Sequence, residues 1–200
     1  MAGYVGANVP INSLYQGWVP INKIEIRNQS SVEFKHNSEG VVLDNTYRIY
    51  KWEFINIHPA TDGANFGFQV NAEAETGYNE TITSTAFNAH LTESGSSDNL
   101  DYQTGSDQAQ GTGYQRICSR STGNDDDQAM SGMLTLYDPA SPTYVKHFMS
   151  TGNGSHSDNY TLTLPTAGYI NTTSPINEIS FKFDSGNIHA GVIQMYGLST

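Results

Sequence analysis

Apolar and polar side chains alternate strictly in several stretches of this chain. In residues 64–72 the apolar set is Ala64, Phe66, Phe68, Val70 and Ala72, and Asn65, Gly67, Gln69 and Asn71 lie between them. Successive side chains of a strand point to opposite faces of a sheet, so this period of two predicts a strand with one apolar and one wet face. The same pattern predicts apolar faces in residues 85–91 (Thr85, Phe87, Ala89, Leu91) and 160–164.

Further strands are predicted where aromatic and β-branched residues gather. In residues 47–58 the apolar side chains occupy one set of alternating positions at the two ends and the other set in the middle. This pattern indicates a strand buried on both faces or one with a bulge. The aromatic and β-branched content disfavours a helix. Residues 132–137 and 144–149 flank Pro139 and Pro142 and predict two strands joined by a turn. About ten strands result, at spacings typical of a sandwich or barrel.

The composition agrees with a β-rich protein that has many turns. The chain contains 20 Ser, 19 Thr, 18 Asn and 19 Gly, and 11% of its residues are aromatic. Disordered chains are poor in aromatic residues, and coiled coils are dominated by Ala, Glu, Lys, Leu and Arg, so both classes are excluded. We therefore expect one all-β domain at residues 21–200.

The acidic charge balance disfavours two classes of partner. The formal net charge is −11, and Arg116 and Arg120 are the only basic residues between Trp52 and Val145. Phosphate backbones and anionic membranes need clustered Lys and Arg, so neither nucleic acid nor a membrane is an expected partner.

Neither a basic, apolar leader at the N-terminus nor an apolar run of ~20 residues is present, so we expect synthesis in a cytoplasm.

Residues 1–20 predict an extended docking arm that precedes the domain. They contain two Pro and no charged side chain, and Val9-Pro10-Ile11 recurs as Val19-Pro20-Ile21, which ends just beyond them. X-Pro elements favour extended backbone, so the arm is expected to lie along the surface of a neighbour. Its candidate docking residues are Val9, Pro10, Ile11, Trp18, Val19 and Pro20.

No residue pattern predicts a catalytic, cofactor or metal site. The six histidines (His36, His58, His90, His147, His156 and His189) have no zinc-site spacing, although two or three of them could converge in space. Asp125, Asp126 and Asp127 predict a solvated acidic loop, with a loop calcium as the alternative. Cys118 is alone and is expected to be a buried small hydrophobe within a strand.

Tyrosines beside polar loops are the candidate recognition residues. Tyr78, Tyr102, Tyr114 and Tyr160 adjoin Gly- or Asn-rich loops, where a ring can stack on a sugar or a protein while its hydroxyl stays wet. The alternative is that they close the ends of a sandwich.

The C-terminal segment INEISFKFDSGNIHAGVIQMYGL, residues 176–198, predicts a β-hairpin. Residues 184–187 supply the turn, and Gly191 in mid-strand indicates a bulge or a close backbone approach. The positions that define the pattern are Ile179, Phe181, Phe183, Gly186, Ile188, Gly191, Ile193, Tyr196 and Gly197.

This segment resembles the closing hairpin of structural proteins in tailed-bacteriophage virions. Residues 52–55 (WEFI) resemble an early aromatic strand of that group, and residues 131–139 (SGMLTLYDP) resemble its central strand and turn. The opening residues 4–7 (YVGA) are similar to the start of some fibre-like proteins of marine phages.

The resemblance implies a jelly-roll-like antiparallel β-sandwich without enzymatic activity, exposed on the virion surface. It would self-associate, as a homotrimer, and contact other capsid or tail proteins as a decoration or fibre-like module. One alternative function is a receptor- or glycan-binding tail-fibre tip that contacts a host surface glycan. A second is a tail-associated polysaccharide-degrading enzyme.

Overall fold

A computed structural model describes residues 17–199, which form a two-sheet β-sandwich. The strands are β1 (Gly17–Gln29), β2 (Val32–Lys35), β3 (Ile49–Pro59), β4 (Phe66–Ala72), β5 (Ile82–Thr92), β6 (Asp98–Tyr102), β7 (Ala109–Gly111), β8 (Gln115–Arg116), β9 (Met130–Tyr137), β10 (Lys146–His156), β11 (Tyr160–Thr163), β12 (Thr166–Ile170), β13 (Ile176–Phe183) and β14 (Ile188–Ser199). The described part has no helix, so the expected all-β, jelly-roll-like fold is confirmed. Fourteen strands replace the ten predicted ones, because several are shorter than five residues.

Every strand pairing is antiparallel. The large sheet has the order β1-β14-β3-β9-β10. The free edge of β10 then pairs with β12 and β11 in succession; both pair with β5, whose other edge carries β6 and β7. The small sheet has the order β2-β13-β4-β8. The predicted pair at residues 132–137 and 144–149 is confirmed as β9 and β10.

An aromatic cluster fills the space between the two sheets. Phe181 on β13 lies at its centre, with ring centroids 5.2 Å from Phe54, 6.0 Å from Phe66, 6.1 Å from Trp52 and 6.2 Å from Phe34. All five rings are buried. Burying a side chain of this size stabilises the fold by about 1.5–3 kcal/mol, so the cluster joins the two sheets.

The predicted C-terminal hairpin is wrong, because its two strands lie in different sheets. β13 pairs with β2 and β4, whereas β14 pairs with β1 and β3. The turn between them is bonded to other loops: the Asp184 carboxylate accepts hydrogen bonds from Asn65 N and Nδ2 at 2.9 and 2.7 Å, and Ala60 N donates to Asn187 O. Buried side chains such as Phe181 on β13 and Ile193 on β14 therefore reach the shared core from opposite sheets.

Two bulges meet where β3 passes β14. The register of β3 shifts between Phe54 and Ile57, with Asn56 at φ 48°, so of the two alternatives predicted for residues 47–58 the structure has the bulge. Gly191 on β14 has φ 137°, and a Cβ there would lie 2.8 Å from Asn56 O. The predicted close approach at Gly191 is therefore also confirmed.

The expected wet face of residues 64–72 is wrong, because every residue of β4 is buried. Gln69 Nε2 donates to the backbone oxygens of Glu80 and Thr112, at 2.9 and 3.1 Å, and Asn71 Nδ2 donates to Glu75 O. Loops after β4 and β7 thus cover the outer face of the small sheet. Polar side chains bonded to covering loops have the same alternation as solvated ones, so periodicity could not separate the two cases.

The expected boundary between arm and domain at residue 20 is also wrong. Trp18, Val19 and Pro20 lie in β1, opposite Leu198, Gly197 and Tyr196 of β14. A register shift follows directly at Pro20, which has no N–H to give to the ladder. Val9, Pro10 and Ile11 lie outside the described residues, so their docking role stays a prediction.

Candidate interaction surface

The outer face of the large sheet exposes an unusual number of large apolar side chains. Six of them lie together on β5, β6, β9 and β10, and we call this set the apolar face: Phe87, Leu91, Leu100, Tyr102, Met133 and Met149. Their exposed fractions run from 39% for Met133 to 74% for Leu100. A large contiguous patch of exposed apolar side chains commonly marks an interaction site, whereas single exposed apolar residues are ordinary.

The strand register brings these side chains together. Met149 lies opposite Thr135 on one neighbour and Ala167 on the other, and Met133 lies opposite Thr151. Phe87 pairs with Tyr102, and Ala89, the next outward residue of β5, pairs with Leu100. Side chains at such positions stand about 5 Å apart, so the patch is continuous across these strands.

A shallow groove of about 310 Å³ crosses the apolar face. Its lining consists of Thr85, Phe87, Met133, Thr135, Tyr137, Met149, Ser150, Thr151, Pro165, Thr166 and Ala167. None of these side chains is charged at neutral pH. A second depression continues it toward His147 and Tyr169, and shares Thr85, Tyr137, Met149 and Ala167 with it.

A small residue makes the floor of this groove low. Ala167 of β12 lies between Met149 of β10 and Thr85 of β5. Pro165 separates β11 from β12, and its carbonyl accepts a hydrogen bond from Phe87 N at 3.2 Å. The floor is therefore held by backbone contacts and does not depend on flexible side chains.

Charged residues begin only at the two margins of the apolar face. On the β3 side, Lys51 Nζ bonds the Glu53 carboxylate at 2.7 Å and lies 4.4 Å from the ring centroid of Trp18. On the β6 side, the hydroxyl of Tyr102 donates to the Asp107 carboxylate at 2.6 Å. An apolar centre with a polar rim is the usual anatomy of a protein–protein contact.

Residues 85–91 have the predicted alternation, but their apolar frame faces solvent and not the core. The inward frame of β5 is Ile82, Ser84, Ala86 and Asn88, all buried. Ser84 Oγ donates to Gln115 Oε1 at 2.6 Å and Asn88 Nδ2 to Asp101 Oδ1 at 3.0 Å, so hydrogen-bonded polar side chains occupy part of the buried side. Sequence reasoning therefore missed Phe87 and Leu91 as surface residues.

The four candidate recognition tyrosines do not form one surface. Tyr78 and Tyr114 lie against the small sheet, where their hydroxyls donate to Glu178 Oε2 and Ser180 Oγ, both at 3.0 Å. Burial and the Glu178 carboxylate raise the pKa of Tyr78. Tyr102 alone lies on the apolar face. Tyr160 lies elsewhere, stacked on His156 with ring centroids 3.9 Å apart.

His156 is held neutral in this stack. It is buried, and its Nδ1 accepts a hydrogen bond from Asp158 N at 3.0 Å, which a protonated nitrogen could not do. Burial lowers the pKa of His156, although the Asp158 carboxylate, 3.6 Å from the same nitrogen, acts in the opposite direction. The backbone hydrogen bond and the burial outweigh that exposed carboxylate.

We expect acid to destabilise the fold through His156. Its folded pKa lies below the unfolded value of about 6.5, so the unfolded chain binds more protons and the free energy of unfolding falls as pH drops through that value. Urea denaturation between pH 8 and pH 5 measures the slope. His156→Gln should flatten it, whereas the exposed His189→Gln should not; equal slopes in all three proteins would contradict this role.

The other candidate residues are the histidines, the acidic loop and Cys118. His58 and His189 have ring centroids 5.3 Å apart, beside the exposed acidic loop at Asp125–Asp127. Within residues 17–199, no group of three or more His, Cys, Asp or Glu side chains is arranged to hold a metal ion. Cys118 is fully buried, as expected, and burial raises its thiol pKa to about 12; it lies at an isolated bridge to Leu164 and not within a strand.

The comparisons with known proteins found no relative of this chain. No family model matches it, and neither the curated proteins nor the solved structures contain a significant match. Among the described residues, no helix is long and apolar enough to cross a membrane. The surface described above is therefore the basis for the proposed function.

Proposed function

We propose that this chain is a non-enzymatic structural protein of a tailed-phage virion. It self-associates, as a homotrimer, on the outer surface of the capsid or tail. The observation that carries the self-association is the apolar face, with its uncharged groove, on a chain whose formal net charge is −11. The virion setting is supported by the sequence resemblance described above.

The charge distribution supports association through this face in particular. Copies with 20 acidic and 9 basic residues repel one another, and this repulsion opposes contact through charged surfaces. The six residues of the apolar face carry no charge, and burial of their apolar surface stabilises an association by roughly 25 cal/mol per Å². It is therefore the surface through which copies meet at the lowest electrostatic cost.

We expect Met149→Glu to weaken self-association at least about tenfold in dissociation constant. The substitution places a carboxylate in the apolar groove, and an unpaired charge buried at an interface costs more than the 1.4 kcal/mol that corresponds to a factor of ten. Met133→Glu should act in the same direction. Sedimentation of the full chain over a range of concentrations measures the effect.

Tyr144→Glu is the matched control for these variants. Tyr144 is 69% exposed in the turn before β10 and lies outside the apolar face, so its substitution should leave the dissociation constant unchanged. A full chain that sediments as a monomer at every concentration would overturn the proposal of self-association. Density for the chain in a reconstruction of the whole particle tests the virion location, and its absence would overturn that part.

A further inference from the structure

We propose that the groove on the apolar face binds residues 1–16 of a second copy of this chain. The inference rests on the proposed self-association and names the segment that completes it. Three observations carry it: the chemistry of the groove, the chemistry of residues 1–16, and the position of Gly17, where the described structure begins.

The groove and the segment match in polarity. Eleven residues line the groove, and none carries a charge at neutral pH. Residues 1–16 likewise have no charged side chain, and they include Val5, Val9, Ile11 and Leu14. Because an acidic or basic segment would lose hydration in this groove without gaining a partner, the uncharged N-terminal segment is the stretch of this chain that fits best.

The position of Gly17 makes the groove reachable. Gly17 begins β1 at one edge of the large sheet, and the exposed Trp18 beside it contacts Lys51 of the same outer face. Four strand spacings, about 19 Å, separate β1 from β10 at roughly 4.8 Å each. Sixteen extended residues span up to about 53 Å, more than twice that width, so the segment is long enough to extend beyond its own sheet onto an adjoining copy.

The direction of β1 favours a second copy over the same chain. β1 runs antiparallel to β14 with Gly17 opposite Ser199, so the line of the strand continues past the end of the sheet at Gly17. To reach its own groove, the segment would have to turn back across its own sheet, over β14, β3 and β9. A segment that keeps the direction of β1 instead leaves its own sheet, which favours contact with a second copy.

Cross-linking of the full chain tests this inference. Val5, Val9 or Ile11 is replaced in turn by Cys, each combined with Met149→Cys in the groove, and a short bismaleimide joins thiols that lie close together. Native Cys118 does not compete, because it is fully buried. The control combines the same arm substitutions with Tyr144→Cys, which is exposed but outside the groove.

We expect cross-links between chains in at least one Met149→Cys pair, with at least about tenfold more product than in its Tyr144→Cys control. A docked arm raises the local thiol concentration to about millimolar, well above a micromolar bulk concentration. Cross-links within one chain would overturn the second-copy inference. Equal product in both pairs, with self-association intact by sedimentation, would also overturn it and leave the proposed function standing. A chain that does not self-associate would overturn both.

Discussion

Phe181→Ala should lower the free energy of unfolding by about 3–5 kcal/mol, because it leaves a cavity at the centre of the aromatic cluster. The Phe181 ring is fully buried and packs against Phe34, Trp52, Phe54 and Phe66, which belong to both sheets. Whole domains are stable by only about 5–15 kcal/mol, so this loss removes a large fraction of the total. Urea denaturation, read from the shift in midpoint at constant slope, measures it.

Phe87→Ala is the matched control, since it makes the same chemical change on a strand of the large sheet. Phe87 is 47% exposed on the apolar face, so its truncation leaves no internal cavity. At a concentration where the chain is monomeric, we expect a change within about 0.5 kcal/mol. A larger loss for Phe87→Ala than for Phe181→Ala would contradict the observed frame of β5.

We expect Gly191→Ala to cost roughly 3 kcal/mol or more. Gly191 has φ 137°, and a Cβ there would lie 2.8 Å from Asn56 O and 3.0 Å from Ile57 Cα, both backbone atoms of the facing bulge. A strained backbone conformation costs about 1–3 kcal/mol, and overpacking against atoms that cannot rotate away adds about 1–3 kcal/mol. The measurement is again the midpoint of urea denaturation.

Gly113→Ala is the control for that substitution. A Cβ at Gly113 meets nothing within 4 Å, and the residue does not have the positive φ found at Gly191. We expect its effect to stay within about 0.5 kcal/mol. If both alanine variants had equal stability, the close approach of β3 and β14 at Gly191 would be wrong.

The local sequence pattern was sufficient to predict a structural feature where that feature depends on residues that are neighbours in the chain. The frame change in residues 47–58 predicted the bulge of β3, and the two strands around Pro139 and Pro142 are β9 and β10. Gly191 was predicted at a close approach and is found at one. In each case backbone sterics and short connections leave few alternatives.

Pattern failed where the partner of a strand is distant in sequence. The turn after β13 was compatible with a hairpin, but β14 pairs with β1 and β3 of the other sheet, and the turn bonds Asn65, 119 residues away from Asp184. The apolar frame of β5 faces solvent, and on its buried side Ser84 and Asn88 bond Gln115 and Asp101 from distant parts of the chain. No alternation of residues within β5 contains that information.

Composition and periodicity are enough to define the class of this protein, an acidic all-β domain whose strands alternate and whose turns are rich in Ser, Thr, Asn and Gly. Which side of each strand faces the core, and therefore where the apolar face lies, follows only from the folded arrangement. An apolar side chain in a strand is equally compatible with the core and with a surface patch, since period two fixes only that side chains alternate. Packing of β5, β9 and β10 in one sheet placed Phe87, Met133 and Met149 together on the outside.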